Sequence, residues 1–147
     1  MNRQIVYSLI GDFMRTQLGW LSFLLAVIFA VGLVLSLIGA TWFGVSGRSG
    51  LVGFFGFGIP MIITGLGASA LWSDEKPLQK TLGWTSTVVG LTCGVALFIL
   101  VAGWVLSDNQ SYGPKGSIGH FFGFGTTMLF CGGFGIAKLL ESEGKTY

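Results

Sequence analysis

Three side chains in this sequence carry groups that could do chemistry within apolar surroundings: His120, Cys93 and Cys131. An imidazole offers a nitrogen ligand to a metal-bearing ring, so His120 is the candidate cofactor-binding residue, for a haem, a chlorophyll-like pigment or a quinone. Its place at the start of the last apolar run equally suits a polar end-group. The cysteines lack the CxxC or Cys/His spacing of a zinc site, and no metal site is expected. They read as small packing residues, since a disulfide would need their Cα atoms within about 7 Å. The residues alone do not identify a cofactor.

No Asp, Glu, Lys or Arg falls inside the long apolar runs. Ionisable groups at membrane depth are costly and mark ion or proton pathways. Their absence argues against catalysis and against any transport mechanism that binds an ion at a buried acid. What polarity exists is mild. Pro60 and Thr64, with their counterparts Thr127 and Cys131, form a possible groove for neutral or apolar cargo. Pro60 removes one helix hydrogen bond and predicts a kink. The sequon "NQS" at 109–111 falls in a short polar segment.

The elements that must position these residues follow from charge spacing. The chain is 52% hydrophobic and 10% charged, with a mean hydropathy of +0.77, against roughly a quarter charged residues in soluble domains. Charge-free gaps of 32, 25, 27 and 22 residues follow Arg15, Arg48, Lys80 and Lys115. A helix needs about 20 apolar residues to cross the hydrocarbon core. The runs are apolar on every side rather than alternating, which excludes barrel strands and leaves helices. Four spans are therefore expected near residues 18–42, 51–72, 82–106 and 118–139, in one membrane domain covering 1–147. The first apolar run is too long for a signal-peptide core and is expected to stay uncleaved.

Arg3, Arg15, Lys76, Lys80, Lys138 and Lys145 flank one side of these spans, and Arg48 and Lys115 the other. The excess places both termini and the turn "SDEKPLQK" in the cytoplasm, in an inner or plasma membrane or its equivalent. Trp20, Trp42, Trp72, Trp84 and Trp104 lie near span ends, where indole rings favour the headgroup level. Ile5, Val6, Leu9, Ile10, Phe13 and Met14 share one helical face, opposite Arg3, Gln4, Ser8, Asp12 and Arg15. That pattern predicts an amphipathic helix lying on the cytoplasmic interface.

The chain also repeats itself. "LGWLS" at 18–22 matches "LGWTS" at 82–86, and "FFGFG" at 54–58 recurs at 121–125. The implied unit is a helical hairpin, covering about 18–72 and again about 82–140. The copies are in tandem and related by an axis along the membrane normal, unlike inverted repeats. His120 aligns with Gly53, so the duplication supplies no second ligand. The fold class is thus an all-α integral membrane protein, four transmembrane helices as two duplicated hairpins.

Ser22, Ala26 and Ala30 align with Ser86, Gly90 and Gly94. Small residues at every fourth position let helix backbones approach closely in lipid, which predicts packing of spans one and three along these ridges. Leucine at position 90 should then disrupt the packing and alanine much less. Gly56 and Gly58 in one copy, and Gly123 and Gly125 in the other, notch the helix between phenylalanines. They are candidate contacts for a partner or lipid, expected on opposite flanks of the protein.

The preferred functional expectation is a non-catalytic accessory or scaffold subunit. Its partners would be the lipid bilayer and other membrane subunits or copies of itself, with no nucleic acid. A small transporter or channel for neutral cargo, and a pigment-, haem- or quinone-binding subunit, are the alternatives. Orientation is directly testable. Ser73→Cys should resist an impermeant thiol reagent in intact cells, while Ser111→Cys should react; labelling at 73 would reverse the topology.

Overall fold

The computed structural model describes the backbone of residues 3–42, 48–106 and 114–144, and most side chains from 11 onward within them. The sequon at 109–111 and the side chains of Arg48, Lys115, Trp42 and Trp104 lie outside the described residues. Every described residue belongs to a helix or a short turn. The helices are α1 (Arg3–Trp42), α2 (Arg48–Gly53), α3 (Ile59–Leu71), α4 (Lys76–Leu106) and α5 (Pro114–Ser142). A π-helical turn, Phe54–Gly58, joins α2 to α3. Four segments are long and apolar enough to cross a membrane: Gly11–Leu37, Leu51–Leu71, Lys76–Gly103 and Ile118–Ser142.

The helix α1 spans 40 residues, about 60 Å at 1.5 Å per residue, twice the hydrocarbon thickness. The segment expected to lie on the interface therefore continues the first span without a break. Most of the side chains that define its amphipathic face lie outside the described residues.

Pro60 produces a wider turn. A proline ring clashes with the carbonyl four residues earlier and supplies no N–H. The Ile59 N–H bonds to the carbonyl of Phe54, five residues back, so one extra residue is absorbed just before the proline. In the second copy Thr127 stands in its place and the "FFGFG" segment stays α-helical. There the Thr127 hydroxyl donates to the carbonyl of Gly123 at 2.8 Å. Identical pentapeptides thus have different backbones because of a residue two positions downstream.

The α3–α4 turn is shorter than "SDEKPLQK" implies. Helix α4 starts at Lys76, and Gln79 is buried. Its amide donates to the carbonyl of Ser69 at 2.7 Å, one of the four carbonyls a helix C-terminus leaves unpaired. Arg15 donates to Asp74 at 2.8 Å and to Ser73 at 2.6 Å, tying α1 to the same turn.

Packing is mainly within two antiparallel pairs, α1 with α3 and α4 with α5. Ser22 donates to the carbonyl of Thr64 at 2.8 Å, and Ser86 to the carbonyl of Cys131 at 3.0 Å. A Cβ added at Gly90 would sit 2.6 Å from the backbone nitrogen of Gly132, and one at Gly83 would sit 3.1 Å from the carbonyl of Gly135. Gly94 lies beside the Met128 thioether. The ridge residues Ser86, Gly90 and Gly94 therefore face the partner helix of their own pair. The expected seam between spans one and three is not formed, since α1 and α4 touch only sparsely. The reason is geometric: the serine hydroxyls find carbonyls, and the glycines find backbone, on the antiparallel neighbour.

The first pair is filled differently. Trp72 is fully buried, stacked edge-on against Trp20 at 5.1 Å and close to Phe23 at 5.5 Å. Gly19 makes room for its indole. Trp72 is thus a core residue rather than part of an interfacial belt, while Trp20 and Trp84 remain exposed.

Because the Gly90 position abuts backbone, even alanine has no room, contrary to the tolerance expected from spacing. Gly90→Ala should cost about 1–3 kcal/mol as an overpacking change. Gly103→Ala, whose Cβ would meet nothing within 4 Å, should be neutral. Thermal unfolding in mild detergent measures both; equal melting temperatures would show that the backbones are not in contact.

Candidate functional site

One buried polar group and one cavity stand out as places where this bundle could engage another molecule. His120 is 5% exposed, and its Nε2 has no hydrogen-bond partner. Buried polar atoms are nearly always paired, so the ring is out of place for a simple polar end-group. No group of three His, Cys, Asp or Glu residues that could hold a metal occurs among the described residues.

The cavity is elsewhere. A space of about 320 Å³ lies between the hairpins, in the half of the bundle nearer Lys76 and Ser142. All four spans contribute: Ala26 and Ala30 from α1, Met61 and Gly65 from α3, Val89 from α4, and Phe130 from α5. It separates two packed clusters. Ala30, Met61 and Cys131 belong to the one above, with Leu33, Leu37, Cys93 and Phe124. Phe23 and Leu82 belong to the one below, with Ala68 and Trp72. His120 precedes Phe130 by ten residues, about 15 Å along the helix, so the histidine and the cavity do not form one site.

The few polar groups near the cavity are already engaged. Thr85 donates to the carbonyl of Thr81 at 2.9 Å, and Ser86 to that of Cys131. Thr64 bonds back to the carbonyl of Pro60 at 2.8 Å. The proposed polar groove of Pro60, Thr64, Thr127 and Cys131 is therefore not assembled: Thr127 is buried on its own helix, and only Cys131 lines the cavity. Cys93 and Cys131 are both free thiols in the upper cluster.

The "FFGFG" copies meet each other. Phe54 and Phe122 are in edge-to-face contact at 5.3 Å, so the copies do not occupy opposite flanks. Their glycines divide. Gly58 is covered by the Phe54 ring and Gly123 is buried, whereas a Cβ at Gly56 or Gly125 would meet nothing within 4 Å. What the sequence reading missed is the cavity itself and the Ser69–Gln79 link. The cavity has no motif, because it is the space left where the small residues Ala26, Ala30 and Gly65 of the first hairpin face Val89 and Phe130 of the second.

No model of a known protein family matches the chain, and no solved structure matches it.

An unpaired buried nitrogen typically costs about 1–3 kcal/mol. His120→Leu, of similar volume, is expected to raise the unfolding free energy by about 1 kcal/mol and to leave the visible absorbance of the purified protein unchanged. Loss of an absorbance band in this variant would instead make His120 a ligand.

Proposed function

We propose that this protein is a non-catalytic membrane subunit, an accessory or scaffold that works by helix contact. In this reading it consists of two duplicated hairpins with both termini in the cytoplasm. The duplication is supported by the two serine hydrogen bonds, which join Ser22 to Thr64 and Ser86 to Cys131 at repeat-equivalent positions. The orientation rests on the excess of basic residues on the terminal side.

The observation that carries the contact role is the outward face of α5. Ile118, Phe122, Leu129 and Ile136 are exposed along it, and Gly125 and Gly132 sit between them. The spacing is four, three, four, three and four, which is the seam of a helix that meets another at a shallow angle. A Cβ on either glycine would point into open space. Outward rows on the other helices are bulky: Leu21, Leu25 and Ile28 on α1, and Val88, Leu91 and Val95 on α4. In lipid, large apolar side chains are equally satisfied by acyl chains, while small ones permit a second backbone to approach. Only α5 combines both at heptad spacing among these rows. Gly56, open beside Phe55 and Phe57, adds a shallow notch on the other hairpin.

Replacing Gly125 by leucine fills the seam at a position away from the contact of Gly132 with α4. The variant should insert and keep its stability within about 0.5 kcal/mol, yet lose the partner subunit or second copy that the wild type retains in mild detergent. Native mass analysis reads this directly. A wild type that runs as a single 15.6 kDa chain, or an unchanged assembly in the variant, would overturn the proposal.

A further inference from the structure

The cavity between the hairpins has walls of unusual chemistry for a functional pocket. Its lining offers no free hydroxyl or amide donor, because the Thr85 and Ser86 hydroxyls are already donated to helix carbonyls, and only the weakly donating Cys131 thiol remains. A quinone would find only that thiol for its carbonyls, and a haem would find no imidazole in the lining. The volume of about 320 Å³ is some twice that of an engineered apolar cavity that stays dry and takes up benzene. Left empty, walls of this extent forfeit their dispersion contacts on one side. A hydrocarbon occupant meets every requirement of the site.

The mouth shows where that hydrocarbon comes from. Leu66 on α3 and Phe130 on α5 line the cavity and are both exposed. These two helices make no extensive contact with each other, so the gap between them opens sideways. Both residues lie well inside the apolar spans Leu51–Leu71 and Ile118–Ser142, at a depth where the surrounding medium is acyl chain. Ser69 and Gln79 are buried and hydrogen-bonded on the terminal side, and the cluster around Trp72 closes that end.

Charge at the interface fits the same occupant. On α5, Lys138 follows Phe134, a lining residue, by one turn and Cys131 by two, so it extends the cavity-facing side of the helix. Among the described residues its ammonium pairs with Glu141 alone, at 2.8 Å, an i,i+3 pair of the kind that contributes little. A phosphate beside Lys138 would sit about 12 Å along the helix from Phe130. A leaflet is about 15 Å deep, so an acyl chain anchored there reaches the mouth with its terminal part to spare.

We infer that the inter-hairpin cavity is a binding site for one acyl chain of a membrane phospholipid, entering between α3 and α5 with its phosphate at Lys138. The site is independent of the outward seam on α5, which lies on another face of that helix.

The test uses the full-length protein reconstituted in phosphatidylglycerol vesicles. A fraction of the lipid carries a photoreactive diazirine near the end of one chain. After irradiation, adducts should appear on Met61, Ile62 and Val89, over and above those on the outward residues Val95 and Phe98. Gly65→Leu projects into the cavity from a position with nothing within 4 Å of its Cβ, and should lower the internal adducts at least fivefold while leaving the outward ones unchanged. Lys138→Gln should lower the internal adducts about twofold to threefold. If Gly65→Leu fails to fold, the wild-type ratio of internal to outward adducts decides alone. Adducts confined to outward residues would overturn the proposal, because the cavity would then be closed to the lipid chain.

Discussion

Contact between bare backbones at Gly90 and Gly132 is the constraint on which the rest of the bundle depends. Within a bilayer, burying leucine gains little over leaving it in lipid, so helices associate only where they can approach closely or exchange hydrogen bonds. Here both happen within one helical turn: Ser86 donates to the carbonyl of Cys131 while Gly90 lies on the backbone of the next residue. Gly83 and Gly135 extend the contact toward the terminal side. The first hairpin repeats the hydrogen bond but has alanine at positions 26 and 30 in place of the glycines, and packs Trp72 against Phe23. One pair is closed by absence of side chains, the other by large rings.

That difference explains the space between the hairpins. Ala26 and Ala30 are small enough to leave room yet have no glycine partner to draw the opposing helix in. Ser69 and Gln79 hold α3 to α4 at the terminal end, while Phe54 and Phe122 hold the hairpins together at the other. The hairpins are braced at both ends and apart in the middle.

Much of the architecture could be read from the residue order. Gaps between charges marked four spans because solvation of charge at membrane depth is prohibitive, a signal independent of tertiary detail. Small residues at positions 22, 26, 30, 86, 90 and 94 marked the faces that pack, but not against which helix. Spacing defines a face and is silent about its neighbour, so the choice between spans one and three and the two hairpins lay beyond it. Trp72 misled for a related reason: an indole near a span end suits both the headgroup level and a core, and Gly19, on another helix, decides between them. The kink residue Pro60 was legible, whereas its accommodation as a π turn shows only in the bond from the Ile59 N–H to the carbonyl of Phe54. His120 stood out by type alone; its unpaired Nε2 could be seen only in three dimensions.

The meeting of the two "FFGFG" segments has a consequence for symmetry. Had the copies faced outward on opposite flanks, each chain would carry two like surfaces, and head-to-tail association could continue into an open filament. With the copies meeting at Phe54 and the half-exposed Phe122 instead, the heptad face of α5 is left as a surface that each chain presents once. Two copies can share a single surface only about a twofold axis, and insertion from the same side of the membrane sets that axis along the bilayer normal. Association through this face closes at two and goes no further.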